Sequence, residues 1–173
     1  MVFLLIIIDQ KFYAQPTQFY NFNTEWNSAE TYFDVFFIND STGWLAGSSG
    51  TILKTTDAGI RWTTLSPPTN EDIHTIVFFS YLSGLAFTQE KILKTTDGGV
   101  TWTTLTSAIT NTINALFIVS ADMVVIGSSS TSKALKSTDY GVSWADITPV
   151  GLTQTIWDIY FLDATTGWLA AQN

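Results

Sequence analysis

One eight-residue stretch occurs three times and constrains this chain more than any other feature in it. It reads Thr55-Thr56-Asp57-Ala58-Gly59-Ile60-Arg61-Trp62, then Thr95-Thr96-Asp97-Gly98-Gly99-Val100-Thr101-Trp102, then Ser137-Thr138-Asp139-Tyr140-Gly141-Val142-Ser143-Trp144. The three aspartates, Asp57, Asp97 and Asp139, stand 40 and 42 positions apart. The chemistry is that of a tight turn between two antiparallel strands. Each carboxylate can accept backbone N–H groups just beyond it, as in an Asx turn. Gly59, Gly99 and Gly141 supply a backbone angle that a Cβ resists. The hydroxyls of Thr55, Thr95 and Ser137 can tie down the near side of the turn. Trp62, Trp102 and Trp144 then open the returning strand and can bury a large ring against a neighbouring layer.

The residues around each turn repeat as well. Residues 34–38 form an apolar run suited to a buried strand, 39–42 a turn, and 43–47 a second strand. Residues 48–50 turn again into a third strand, 51–55, and the motif closes a hairpin into a fourth, 61–65. The pattern returns at 73–79, 84–88, 91–95 and 101–105, and again at 112–119, 123–127, 133–137 and 143–147. It begins a fourth time at 156–161 and 167–171. The predicted units are 32–66, 72–106, 112–148 and a partial 155–173. Four short strands in about 40 residues are the signature of a propeller blade, so the predicted fold is an all-β β-propeller of four-stranded antiparallel blades. An apolar first strand suits the inner position, covered on both faces. A β-sandwich, the alternative, would not repeat itself. A chain of 173 residues can bury a sizeable core within one domain. Three units and a half fall short of the usual ring of about four to eight blades, and an open arc exposes apolar faces and sheet edges. The expectation is a piece of a larger ring. A small four-bladed ring, with residues 16–32 supplying an outer strand, is the other arrangement.

Residues 2–8 are continuously apolar, stopped by Asp9 and followed by Phe12-Tyr13-Ala14-Gln15. The run is too short to span a bilayer. It has the character of a secretory signal cleaved after Ala14, which divides the chain into a leader, 1–14, and the repeats, 15–173. The expected location is then secreted, periplasmic or cell-surface in a bacterium. A hydrophobic strand is the competing reading.

The turn motif, [Ser/Thr]-x-Asp-x-Gly-x-x-Trp, resembles the Asp box of the bacterial neuraminidase repeat. The wider unit, Asp34-Val35-Phe36-Phe37 to Gly43-Trp44-Leu45-Ala46-Gly47 and Gly50-Thr51-Ile52-Leu53-Lys54-Thr55-Thr56-Asp57, resembles the photosystem II stability and assembly factor family. Asp158-Ile159-Tyr160-Phe161 with Gly167-Trp168-Leu169-Ala170 repeats its first half, and the resemblance extends over residues 32–171. It implies a propeller that binds a partner protein, with a basic patch in the binding surface. It also implies that the Asp-box residues are structural.

Composition narrows the chemistry. Fifteen acidic residues against seven Lys and Arg give a net charge of −8, which argues against nucleic acid and, once a leader is removed, against anionic membrane surfaces. No cysteine is present, so disulfides and thiolate metal sites are excluded. Sialidases share the Asp box, but they need three arginines around the substrate carboxylate, and Arg61 is the only one here. His74 is the only histidine, and no spacing around it suggests zinc. Gly98-Gly99 opens no helix and makes no phosphate loop. Each motif carboxylate serves its own backbone, which leaves no six-oxygen calcium shell. No cofactor or metal is expected. Lys54, Lys94 and Lys136, one before each motif, read as a solvated stripe, with one edge of a binding surface as the alternative.

Two functional readings remain. Asp-box enzymes that hydrolyse β-glucans use two carboxylates about 5 to 9.5 Å apart. Asp34 and Asp158, at matching places in their inner strands, are the pair that such a module would need, with Trp157 as an aromatic platform. The plainer reading of both is a repeated polar residue at a strand end. The favoured function is a non-enzymatic propeller that presents loops to a protein or glycan partner, and the alternative is a module of a secreted glycoside hydrolase. The segments before the inner strands offer the most loop surface. They make Glu71, Asp72 and His74, Asn111 and Asn114, and Gln154, Trp157 and Asp158 the candidate binding residues.

Overall fold

The structure is a computed structural model that describes residues 30–105, 113–120, 124–128 and 132–172. The predicted leader, residues 16–29 and Asn111 lie outside the described residues. The first sheet is a meander of β1 (Tyr32–Phe37), β2 (Gly43–Gly47), β3 (Ile52–Thr55) and β4 (Thr63–Leu65), each antiparallel to the last. The second has β5 (Thr75–Phe78), β6 (Gly84–Phe87), β7 (Ile92–Thr95) and β8 (Thr103–Leu105) in the same order. The third follows with β9 (Ile113–Ile118), β10 (Val124–Ser128), β11 (Ala134–Ser137) and β12 (Ala145–Asp146). The fourth pairs β13 (Thr155–Phe161) with β14 (Gly167–Gln172). The sheets are the blades of a β-propeller. β1 lies against β5 and β9 against β13, which makes these first strands the inner ones.

The motif turns account for a difference from the predicted strands. β4 begins at Thr63, not at 61, because Arg61 is still held in the turn: its N–H donates to Asp57 Oδ1 at 2.8 Å. Asp97 and Asp139 hold Thr101 and Ser143 in the same way, at 2.9 and 2.8 Å. The hydroxyl of Thr55 donates to Asp57 Oδ1 and accepts the Gly59 N–H, both at 2.9 Å; Thr95 and Ser137 repeat the pattern. Two consecutive residues per turn are left-handed: Ala58 and Gly59 (φ 61° and 84°), Gly98 and Gly99 (76° and 94°), Tyr140 and Gly141 (59° and 79°).

The core lies between blades rather than within them. Trp44, Ala46 and Ile52 of the first blade pack on Ile73, Ile76, Phe78 and Leu93 of the second. Val77, Leu85, Phe87 and Ile92 then pack on Ile126 and Leu135 of the third. Ala115 and Ala134 pack on Ile156 and Ile159 of the fourth. Gly43, Gly84 and Gly167 open the second strands for a packing reason. A Cβ there would fall 2.7–2.8 Å from a ring carbon of Phe37, Phe78 or Phe161, which lies flat over the glycine.

The three lysines are not a solvated stripe. Lys54 Nζ donates to the Gly98 carbonyl of the next blade at 3.1 Å and stands 5.1 Å from the Trp44 ring centroid. Lys94 Nζ stands 5.7 Å from the Tyr140 ring, and Lys136 Nζ donates to the Ala164 carbonyl at 2.8 Å. The turns of one blade lean over the blade before it, so a carbonyl or a ring comes within reach of each ammonium. The second and third motif turns then also work as contacts between blades, with the Trp44 indole N–H donating to Gly98 O at 3.1 Å.

Candidate functional site

The inner strands share an irregularity at their start. In β1, Tyr32 pairs with Gly47 and Asp34 with Ala46, which leaves Phe33 as an extra residue. In β9, Ile113 pairs with Ser128 and Ala115 with Gly127, which leaves Asn114. In β13 the extra residue is Trp157, between the Ile156–Ala171 and Asp158–Ala170 pairs. His74 holds the corresponding place in the second blade, its N–H donating to Phe87 O beside the Thr75–Phe87 pair. Such bulges re-aim a side chain that a regular strand would direct elsewhere.

Three of these four residues meet. An open cleft of about 540 Å³ runs across the inner strands of the first three blades, and Phe33, Asp34, His74, Asn114, Leu116 and Phe117 are among its lining residues. The Phe33 and His74 rings are 4.9 Å apart and inclined at 47°. The wall mixes aromatic and aliphatic groups with polar ones in about equal measure, the polar points being the His74 imidazole, the Thr75 hydroxyl, the Asn114 amide and the Asp34 carboxyl.

Asp34 is tied into the backbone of two blades. Its Oδ1 accepts the Val35 N–H and its Oδ2 the Ile76 N–H, both at 2.8 Å. Burial pushes its carboxyl above the usual aspartate range, against the two N–H bonds, which pull it down. Asn114 makes a related tie further round, its Nδ2 donating to Ile156 O at 3.1 Å.

The remaining candidates lie elsewhere. Glu71 is paired with Lys91 and accepts the Thr88 hydroxyl at 2.6 Å. The bonds from Lys91 and Thr88 hold its carboxyl below the usual glutamate range. Asp72 accepts the Ser49 N–H at 3.0 Å. Both brace the connection between the first two blades and neither lines the cleft. Trp157 is exposed on the fourth blade beside Asp158, whose Oδ1 accepts the Ile159 N–H at 2.9 Å. The cleft thus contains Asp34 without Asp158, and it does not assemble the carboxylate pair that the hydrolase reading needs. Among the described residues, no group of three His, Asp or Glu side chains could hold a metal ion. Phe33, Leu116 and Phe117 were not candidates from sequence. The signal for Phe33 was its place one residue before Asp34, the place of Trp157 before Asp158.

Four antiparallel sheets with their first strands innermost define the chain as a β-propeller. No family model and no curated protein matches it. Among solved structures it is similar to YCF48 bound to D1 peptide, with a TM-score of 0.62 and 18% identity over 75% of this chain and 43% of that one. It is similar to YCF48 from Cyanidioschyzon merolae, with a TM-score of 0.59 and 20% identity over 71% of this chain and 38% of that one. It is also similar to an ancestral GH74 enzyme, with a TM-score of 0.68 and 13% identity over 80% of this chain and 21% of that one. At these identities the likeness is one of fold, and the chain spans less than half the length of each.

Proposed function

We propose that this chain is a non-enzymatic propeller module that holds a segment of a partner protein in the cleft between its inner strands. The observation that carries the reading is the cleft itself. Its wall sets Phe33, Phe36 and Phe117 beside His74, Thr75 and Asn114, and its one carboxylate is already engaged by two backbone N–H groups. A propeller of similar fold, YCF48, has been solved with a D1 peptide bound. The apolar run at 2–8 and Ala14 support placing the module outside the cytoplasm, which N-terminal sequencing of the exported protein would test.

Selection of displayed peptides against the full chain tests the binding reading. Peptides should be recovered whose affinity falls at least about tenfold in Phe33→Ala, the loss of roughly 1.4 kcal/mol or more for a buried aromatic contact. Failure to recover peptides, or affinity indifferent to Phe33, rejects it. The second reading, a glycoside hydrolase module, is favoured by the raised pKa of Asp34 in a cleft and by the similarity to GH74 enzymes. Release of reducing ends from a β-glucan, lost in Asp34→Asn, would replace the first reading with the second.

A further inference from the structure

The inner strands repeat one another, but the bulge position carries a different kind of side chain each time. It is a benzene ring at Phe33, an imidazole at His74, an amide at Asn114 and an indole at Trp157. The residue directly after it serves the scaffold in three blades: Asp34 and Asp158 accept backbone N–H groups, and Ala115 is buried. The next two positions are apolar throughout, Val35, Ile76, Leu116 and Ile159 and then Phe36, Val77, Phe117 and Tyr160. Variation in chemical kind is thus greatest at the bulge, and Phe33, His74 and Asn114 all line the cleft.

Two of these side chains keep hydrogen-bonding capacity. The Asn114 amide is oriented by its Nδ2, which donates to Ile156 O, and among the described residues nothing donates to its Oδ1. The His74 imidazole meets the Phe33 ring and, among the described residues, makes no hydrogen bond. Phe33 and His74 together form a two-ring shelf, and Asn114 stands on the third blade. The lining contains no lysine or arginine. An anionic side chain seated there would lose its water without gaining a counter-charge. A cationic one would find only the Asp34 carboxylate, whose two oxygens already accept N–H groups.

An extended segment presents alternate side chains on one face. Laid across the inner strands, it sets residues two apart over the shelf and over Asn114. We propose that the bulge residues set the sequence preference of the cleft: the Phe33–His74 shelf selects an apolar side chain, and Asn114 Oδ1 selects an uncharged hydrogen-bond donor two residues away. This preference rests on the cleft being a peptide site, as read above. It makes the partner an uncharged stretch of chain in which Ser, Thr, Asn or Gln stands two residues from an apolar side chain.

Displayed peptide libraries selected in parallel on the full chain and on two variants of it test this. The wild type should yield a consensus with that pair and with no charge at either position. In His74→Asn the apolar position should turn to hydrogen-bonding residues while the other stays as it was. In Asn114→Asp the donor position should turn to Lys or Arg while the apolar one stays. Peptides taken from the wild type should bind each variant at least about tenfold more weakly, and peptides taken from a variant should bind that variant best. A merely structural role for these residues would weaken all peptides alike and leave the consensus unchanged. That result overturns the proposal, as does a charged residue at either position of the wild-type consensus. Asn114→Asp also gives up the bond to Ile156; should it melt early, His74→Asn decides alone, since its side chain has no such bond to lose. Recovery of no peptide at all rejects the binding reading itself. Peptides that depend on Phe33 but ignore both exchanges reject only the preference.

Discussion

Trp44 lies flat on Phe78 across the boundary between the first two blades, with ring centroids 3.5 Å apart and planes inclined by only 9°. Trp102 meets the same Phe78 ring edge-on at 6.1 Å. Three rings from two blades thus form one cluster around a fully buried phenylalanine. Phe78→Ala removes the central ring and leaves a cavity that neighbouring strands can only partly fill. The expected loss is about 3 to 5 kcal/mol, read from urea denaturation. A loss under about 1 kcal/mol would mean that the cluster is not a keystone of this boundary.

Asp34 leads to a second prediction. Asp34→Ala leaves the Ile76 N–H without its acceptor. An orphaned buried donor costs about 1 to 3 kcal/mol. Asp34→Asn keeps a carbonyl oxygen there and should cost less. Hydrogen exchange at the Ile76 amide is the direct readout. It should accelerate markedly in Asp34→Ala, and an unchanged rate would show that the tie is dispensable.

The motif turns set the acid limit of the fold. The hydrogen bonds from Thr101 hold Asp97 at about 2, and those from Ser143 hold Asp139 at about 2, against an ordinary value of 3.8. A carboxylate whose folded pKa is depressed contributes stability that is fully present above its unfolded pKa and is lost as pH falls through the folded one. Stability should therefore drop between about pH 4 and pH 2. The double variant Asp97→Asn, Asp139→Asn should be less stable at neutral pH and show a shallower drop over that interval. Asp34 works in the opposite sense. Its raised pKa favours the fold at low pH and withdraws that support as the group ionises. Asp34→Asn should remove this component while leaving the fall below pH 4 in place.

Left-handed backbone at a non-glycine residue costs about 1 to 2 kcal/mol, while glycine loses about 0.5 to 1 kcal/mol in entropy. Ala58, at φ 61°, is exposed. Ala58→Gly should thus raise stability by up to about 1 kcal/mol, measured by thermal melting. Tyr140→Gly at the same turn position should gain less or lose, because Tyr140 also meets Phe79 edge-on at 5.6 Å and faces Lys94. Equal gains at both positions would contradict this division.

The blades were legible from sequence because their information is local. An apolar run, a turn and a motif recur at a fixed period, and each is readable within a few residues of itself. The cleft draws four residues from each of three blades, and its geometry depends on a bulge that leaves no mark in composition. Phe33 beside Asp34 looks like one more strand residue. His74 and Asn114 were reached because they precede inner strands. Glu71 and Asp72 satisfy the same rule, yet they end as braces because Lys91 and Ser49 stand opposite them. The lysines failed for a related reason. Periodicity places Lys54, Lys94 and Lys136 at one position in each blade, but it says nothing of what the next blade sets above them.

Four of the ties between blades share a direction. Asp34 takes its bond from Ile76, Asn114 gives one to Ile156, Lys54 reaches Gly98 and Lys136 reaches Ala164. In these four a side chain of the earlier blade meets main chain of the later one, whereas Asp72 runs the other way and accepts the Ser49 N–H. Where stability is a sum of nearest-neighbour terms, a blade emerging during synthesis waits for its successor before its own polar side chains are satisfied. A defect in one blade is then felt upstream, as a loosening of the blade already made.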